Sequence, residues 1–108
     1  MSEALDLPTR YREQIEALLR RHVPEVEVWA YGSRVNGLGH DASDLDLVLR
    51  GPGLKPIALG EIADLAKGFE QSTIPILIEA RDWARLPKSF QQEIEQNYVV
   101  LRKAGAIG

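Results

Sequence analysis

The sequence predicts an α+β domain, a small mixed sheet with helices mainly on one face. Three observations carry that prediction. Secondary-structure signals alternate along the chain as α-β-α-β-α-β-α, with a further short strand at the end. The strands are few for a chain of 108 residues, one domain's worth. Two of them alternate apolar and polar residues instead of reading as continuous apolar runs, which argues against a doubly wound sheet buried on both faces.

Each element follows from local chemistry. Tyr11, Ile15, Leu18 and Leu19 fall at i, i+4, i+7 and i+8, the stripe of a helix from about Thr9 to Arg21, with Asp6 or Thr9 as cap and Pro24 beyond its end. Val26, Val28 and Ala30 alternate with Glu27, Trp29 and Tyr31, a strand with two distinct faces that ends at Gly32. Residues 32–37 form a tight turn into a short helix. A second strand runs from Asp44 to Leu49, with Leu45, Leu47 and Leu49 on one face and Asp44, Asp46 and Val48 on the other. Gly51-Pro52-Gly53 is a loop. A helix from about Ile57 to Phe69 presents Ala58, Ile62, Leu65 and Phe69 on one side, with Pro56 suited to its first turn. Ile74 to Glu79 reads as a third strand, which Pro75 confines to an edge or to pairing through its later residues. A last helix, about Pro87 to Gln96, buries Phe90 and Ile94, and Tyr98 to Leu101 adds a short strand. The expected organisation is a single domain over residues 1–108 with a flexible tail at 104–108.

Composition excludes several function classes. Hydrophobic residues make up 44% and charged residues 27%, a globular balance. Thirteen Lys and Arg against sixteen Asp and Glu give a net charge of −3, which argues against non-specific nucleic-acid binding. Cysteine is absent, so disulfides and thiolate metal sites are ruled out and a reducing cytoplasm is the expected location. No apolar run reaches the roughly 18 residues of a membrane span, and Met1-Ser2-Glu3 lacks the order of a signal peptide.

The chemistry concentrates in residues 32–47. Gly32 allows a sharp turn and a close approach of backbone to ligand. Ser33 stands at a predicted helix start, where unpaired N–H groups favour an anion such as phosphate, and Arg34 adds a fixed positive charge. Asp44 and Asp46, two apart on a strand, project from one face with Cα atoms about 6.6 Å apart. Paired carboxylates repel each other, but they suit a hard divalent cation, and Mg²⁺ is usually held by one or two carboxylates plus substrate phosphates. An isolated Asp-x-Asp is most often a solvated strand face and an isolated Gly-Ser a turn. Their fixed spacing, each on the element the chemistry needs, is what sets this segment apart.

At Gly32-Ser33, ten residues, then Asp44-Leu45-Asp46, the chain resembles the minimal nucleotidyltransferases of the polymerase-beta-like superfamily. Arg34, Gly37 and Ser43 also match, and the resemblance runs from the first helix to about Leu101. It implies the polymerase-beta-like nucleotidyltransferase fold. It also implies transfer of AMP from ATP, with Gly32, Ser33 and Arg34 on the phosphates and Asp44 and Asp46 on two Mg²⁺ ions. A third carboxylate, Asp in that family, falls here on Glu79, as a metal ligand or proton acceptor. Asp82 is the fallback for that role. His22, His40, Lys55 and Lys67 read as exposed surface.

Minimal members that resemble this chain are often paired with a small helical HEPN-type protein in toxin–antitoxin modules. The resemblance therefore implies a protein acceptor, a tyrosine hydroxyl on such a toxin, and an antitoxin role. The alternative is an antitoxin of weak or no catalysis that occludes its partner, a reading favoured by Glu79 in place of Asp. Transfer to RNA or to a small alcohol ranks lower.

Overall fold

The computed structural model describes residues 5, 7–32, 34–35 and 44–103. Ser33, His40, the rest of the 36–43 segment, Asp6 and the 104–108 tail therefore lie outside the described residues. The elements are α1 (Thr9–His22), β1 (Glu27–Tyr31), β2 (Leu45–Arg50), α2 (Leu59–Glu70), β3 (Ile78–Asp82), α3 (Lys88–Gln96) and β4 (Tyr98–Arg102). Short 3-10 turns occupy Pro52–Leu54 and Trp83–Arg85.

The four strands form one mixed sheet in the order β3-β2-β1-β4. β1 is antiparallel to both β2 and β4, and β2 runs parallel to β3. Leu45, Leu47 and Leu49 of β2, with Val28 and Ala30 of β1, face Ile15 and Leu19 of α1 and Leu65 and Phe69 of α2 in the main core. Burying each Leu or Phe contributes roughly 1.5–3 kcal/mol, so the stripe that predicted α1 is also what docks it. This is the helix-covered face expected from the sequence.

The opposite face carries a smaller cluster. Trp29, Tyr31 and Val48 pack with Trp83 and Ile94, flanked by Phe90 and Leu86, so α3 covers part of this side as well. Trp29 stacks on Tyr98 with ring centroids 3.9 Å apart, and the Arg50 guanidinium lies 3.9 Å over its ring. The rest of this face, toward β3, is where the acidic residues lie.

Several boundaries depart from the sequence reading. α1 has no side-chain cap; Pro8 precedes it and Thr9 is its first residue. α2 starts at Leu59, leaving Pro56 outside the helix. The largest shift is in the third strand, expected from Ile74 to Glu79 and found at Ile78–Asp82. Pro75 has no N–H to give a ladder, and Ile74 reaches the core from a loop. Pairing begins only where the Leu45 N–H meets the Leu77 carbonyl at 2.9 Å. Among the described residues no helix is long and apolar enough to cross a membrane.

Candidate active site

Strand register puts the site together. Tyr31 of β1 lies opposite Asp46 of β2, and Asp46 lies opposite Glu79 of β3. Directly paired residues share a face, and neighbouring strands run about 4.8 Å apart. Asp46 and Glu79, 33 residues apart in sequence, are thus nearest neighbours on the partly open face. Asp44 sits one residue before β2 begins, exposed to solvent.

Gly32 closes the row from the other side. Its φ of +88° is in the left-handed region that L side chains rarely adopt, and a Cβ there would meet Asp46 Oδ2 at 2.7 Å. The position demands glycine twice, for backbone angle and for space. The following turn is closed by the Val35 N–H donating to the Gly32 carbonyl at 3.0 Å. Arg34 in that turn is 3% exposed and has an interaction partner of its own. Ser33, the expected phosphate donor of this turn, lies outside the described residues. Beside Gly32 a cleft of about 250 Å³ opens between the end of β1 and α3, lined by Tyr31, Phe90, Glu93, Ile94 and Asn97.

The electrostatics are one-sided. Asp46 has no hydrogen-bond or ion-pair partner among the described residues. Burial lifts its carboxyl above the ordinary carboxylate range; the charge of Glu79 and then of Asp44 adds to this, while Arg81 opposes it. Tyr31 is raised by burial first, and its hydroxyl is buried without a hydrogen-bond partner among the described residues. Glu79 does have a partner. Oε2 accepts from Arg81 Nη2 at 3.3 Å and from Nη1 at 3.5 Å.

The fallback carboxylate is excluded by position. Asp82 points to the other face, 2% exposed, and is saturated by the Ile57 N–H at 2.9 Å, Arg85 Nε at 3.0 Å and the Ala84 N–H at 3.3 Å. It ties the loop before α2 to the turn after β3. Lys55 and Lys67 are exposed, and His22 lines a groove between α1 and α2, on the far side of the sheet. Two residues of the site were not singled out from sequence, Tyr31 and Arg81. Arg81 flanks Glu79 because β3 runs on to Asp82: on a strand i and i+2 share a face, and a strand ending at Glu79 leaves Arg81 out of that row.

The donor set fits a hard cation that brings its own further ligands. Among the described residues no three His, Asp or Glu side chains converge as a self-sufficient metal cage. A carboxylate with no partner among the described residues, beside a second one and open to a phosphate-bearing ligand, is instead the arrangement Mg²⁺ favours.

Residues 2–102 match the family model of the central palm domain of poly(A) RNA polymerase, mitochondrial-like. The probable protein adenylyltransferase MntA of Haemophilus influenzae is 31% identical over 99 residues, covering 92% of this chain and 85% of that protein. A solved toxin–antitoxin with AMP-PNP superposes with a TM-score of 0.71 at 19% identity, over 87% of this chain and 74% of the other. A mutant of the toxin–antitoxin MntA-HpeT superposes with a TM-score of 0.70 at 17% identity and the same coverage.

Proposed function

This chain belongs to the family of the poly(A) RNA polymerase, mitochondrial-like, central palm domain and is a minimal nucleotidyltransferase, and from that premise we propose that it transfers AMP from ATP to a hydroxyl on a partner protein, a small helical HEPN-type toxin. The observation that carries the reading is Asp46. It is a carboxylate with no hydrogen-bond or ion-pair partner among the described residues, set against the Gly32 bend and next to Glu79. A fold keeps such a group at a cost to stability, and a site that receives positive charge from a ligand explains it. The relative named as a protein adenylyltransferase and the neighbour described with AMP-PNP support ATP as donor and a protein as acceptor.

In this reading Gly32, Ser33 and Arg34 hold the β- and γ-phosphates, and the cleft beside Gly32 takes the nucleoside. Asp44 and Asp46, with Glu79 as a further ligand, would hold two Mg²⁺ ions. Those ions, when bound, neutralise charge on the α-phosphate and on the departing pyrophosphate. The acceptor oxygen forms a bond to the α-phosphorus, the bond to the β-phosphate oxygen breaks, and pyrophosphate leaves. In place of binding metal, Glu79 would take the acceptor's proton, a role supported by its Oε1, which no donor engages among the described residues.

The test is transfer of label from ATP, with Mg²⁺, to the product of the neighbouring gene. We expect labelling by the wild type and a loss of at least about 100-fold in Asp44→Asn or Asp46→Asn. Undiminished transfer in both variants would overturn the assignment. A second reading, neutralisation by occlusion alone, is favoured by one observation: Glu79 is already occupied by Arg81. Neutralisation that survives intact in the Asp44→Asn/Asp46→Asn double variant would select it.

A further inference from the structure

Among the described residues, Glu79 is the one carboxylate of the three with a partner inside the chain. Arg81 reaches it along the same strand, with both Nη atoms on the single oxygen Oε2. Neither side chain is fixed by packing: Arg81 is 39% exposed and Glu79 43%. Arg81 lies opposite Val48, whose side chain packs with Trp29 and Tyr31, so Arg81 stands on the same face of the sheet as Glu79, Asp46 and Tyr31. Glu79 carries one methylene more than Asp, about 1.5 Å of extra reach. Its carboxylate can swing between Arg81 and Asp46 while the backbone of β3 stays in register.

We propose that Arg81 is an internal counter-ion that latches Glu79 until a divalent cation displaces it. A cation entering the row meets a carboxylate already neutralised and a second positive charge beside it. It must break the Arg81–Glu79 pair before it can use Glu79. Once Glu79 turns toward Asp46, the guanidinium swings to solvent, as its exposure permits. Arg81 is a positioning residue in this account, acting through Glu79. The inference rests on the reading of Glu79 as a cation ligand.

The experiment is a Mn²⁺ titration of the whole chain without nucleotide, with free Mn²⁺ followed by electron paramagnetic resonance. Arg81→Met lowers the half-saturating Mn²⁺ concentration about three- to fivefold, the scale of one partly exposed ion pair. Arg81→Lys, which keeps the charge but loses the fork that grips one oxygen, falls between. In a Glu79→Gln background Arg81→Met has no effect. Equal half-saturation in wild type and Arg81→Met overturns the latch. So does a gain that persists in the Glu79→Gln background, since that would be a general charge effect. If Arg81→Met fails to melt cooperatively, Arg81→Gln takes its place with the same outcomes. The cation site itself is tested separately: Mn²⁺ binding unchanged in Asp46→Asn defeats the reading of the site, whatever Arg81 does.

Discussion

Asp82 and Asp46 stand on adjacent strands of one sheet, on opposite faces, in opposite circumstances. Asp82 faces the α1–α2 side, is almost fully enclosed, and receives two backbone N–H groups and the Arg85 guanidinium. Asp46 faces the other way, half-buried, and receives nothing from the described residues. The first arrangement satisfies a carboxylate for the sake of the fold. The second leaves one unsatisfied next to another negative charge, which helps folding in no way and suits a ligand that arrives positive. Burial alone separates neither from the other; the supply of donors does.

Removing each group should break the pair apart. The largest effect is expected for Asp82→Ala, which strands the Ile57 and Ala84 N–H groups and leaves Arg85 without its carboxylate. Stability should drop by about 2–4 kcal/mol, read as a fall in the denaturant midpoint. Transfer per folded molecule should stay close to that of the wild type. A loss below 0.5 kcal/mol would mean that Asp82 is not the tie described here. Next comes Gly32→Ala. Its Cβ must push Asp46 Oδ2 aside and accept a positive φ, so transfer should fall about 100-fold, with about 1–2 kcal/mol of stability lost to backbone strain. Retained initial rates would show that Asp46 need not sit against the bend.

The smallest effect has the opposite sign. In metal-free protein at pH 7, Asp46→Asn should be slightly more stable than the wild type, by about 0.5 kcal/mol in so open a site. The sign follows from linkage. The raised carboxyl of Asp46 binds its proton more tightly folded than unfolded, so the wild type gains stability as pH falls through that window. The advantage of Asn is therefore complete above the folded value and gone below the unfolded one, near 3.9. Parallel thermal melts of the two proteins from pH 7 to pH 3 should converge. Curves that stay apart at pH 3 would assign the difference to something other than that proton.

How far the sequence was legible depends on whether the deciding interaction was local. The stripe Tyr11, Ile15, Leu18, Leu19 placed α1 to within one residue at its end, because a helix's core face is written in its own spacing. Alternation in Val28–Tyr31 and Leu45–Leu49 assigned both faces of β1 and β2. β3 was misplaced because its apolar run, Ile74-Pro75-Ile76-Leu77, precedes the strand. In the paired stretch, Glu79, Arg81 and Asp82 are polar for reasons that lie elsewhere: Asp46 across the sheet, and Ile57 twenty-five residues upstream. For the site, the Gly32 bend and the face of Asp46 were readable from backbone geometry. The Arg81–Glu79 contact came into view only when β3 extended to Asp82.

Both tryptophans of this chain, Trp29 and Trp83, belong to the aromatic cluster beneath α3, with ring centroids 5.4 Å apart. Intrinsic emission excited at 295 nm therefore comes entirely from the side of the sheet that carries Asp46 and Glu79. The α1–α2 side is dark at that wavelength. A molecule settling over the acidic row can shift this signal without any attached dye, while one docking on the outer helices leaves the spectrum as it was.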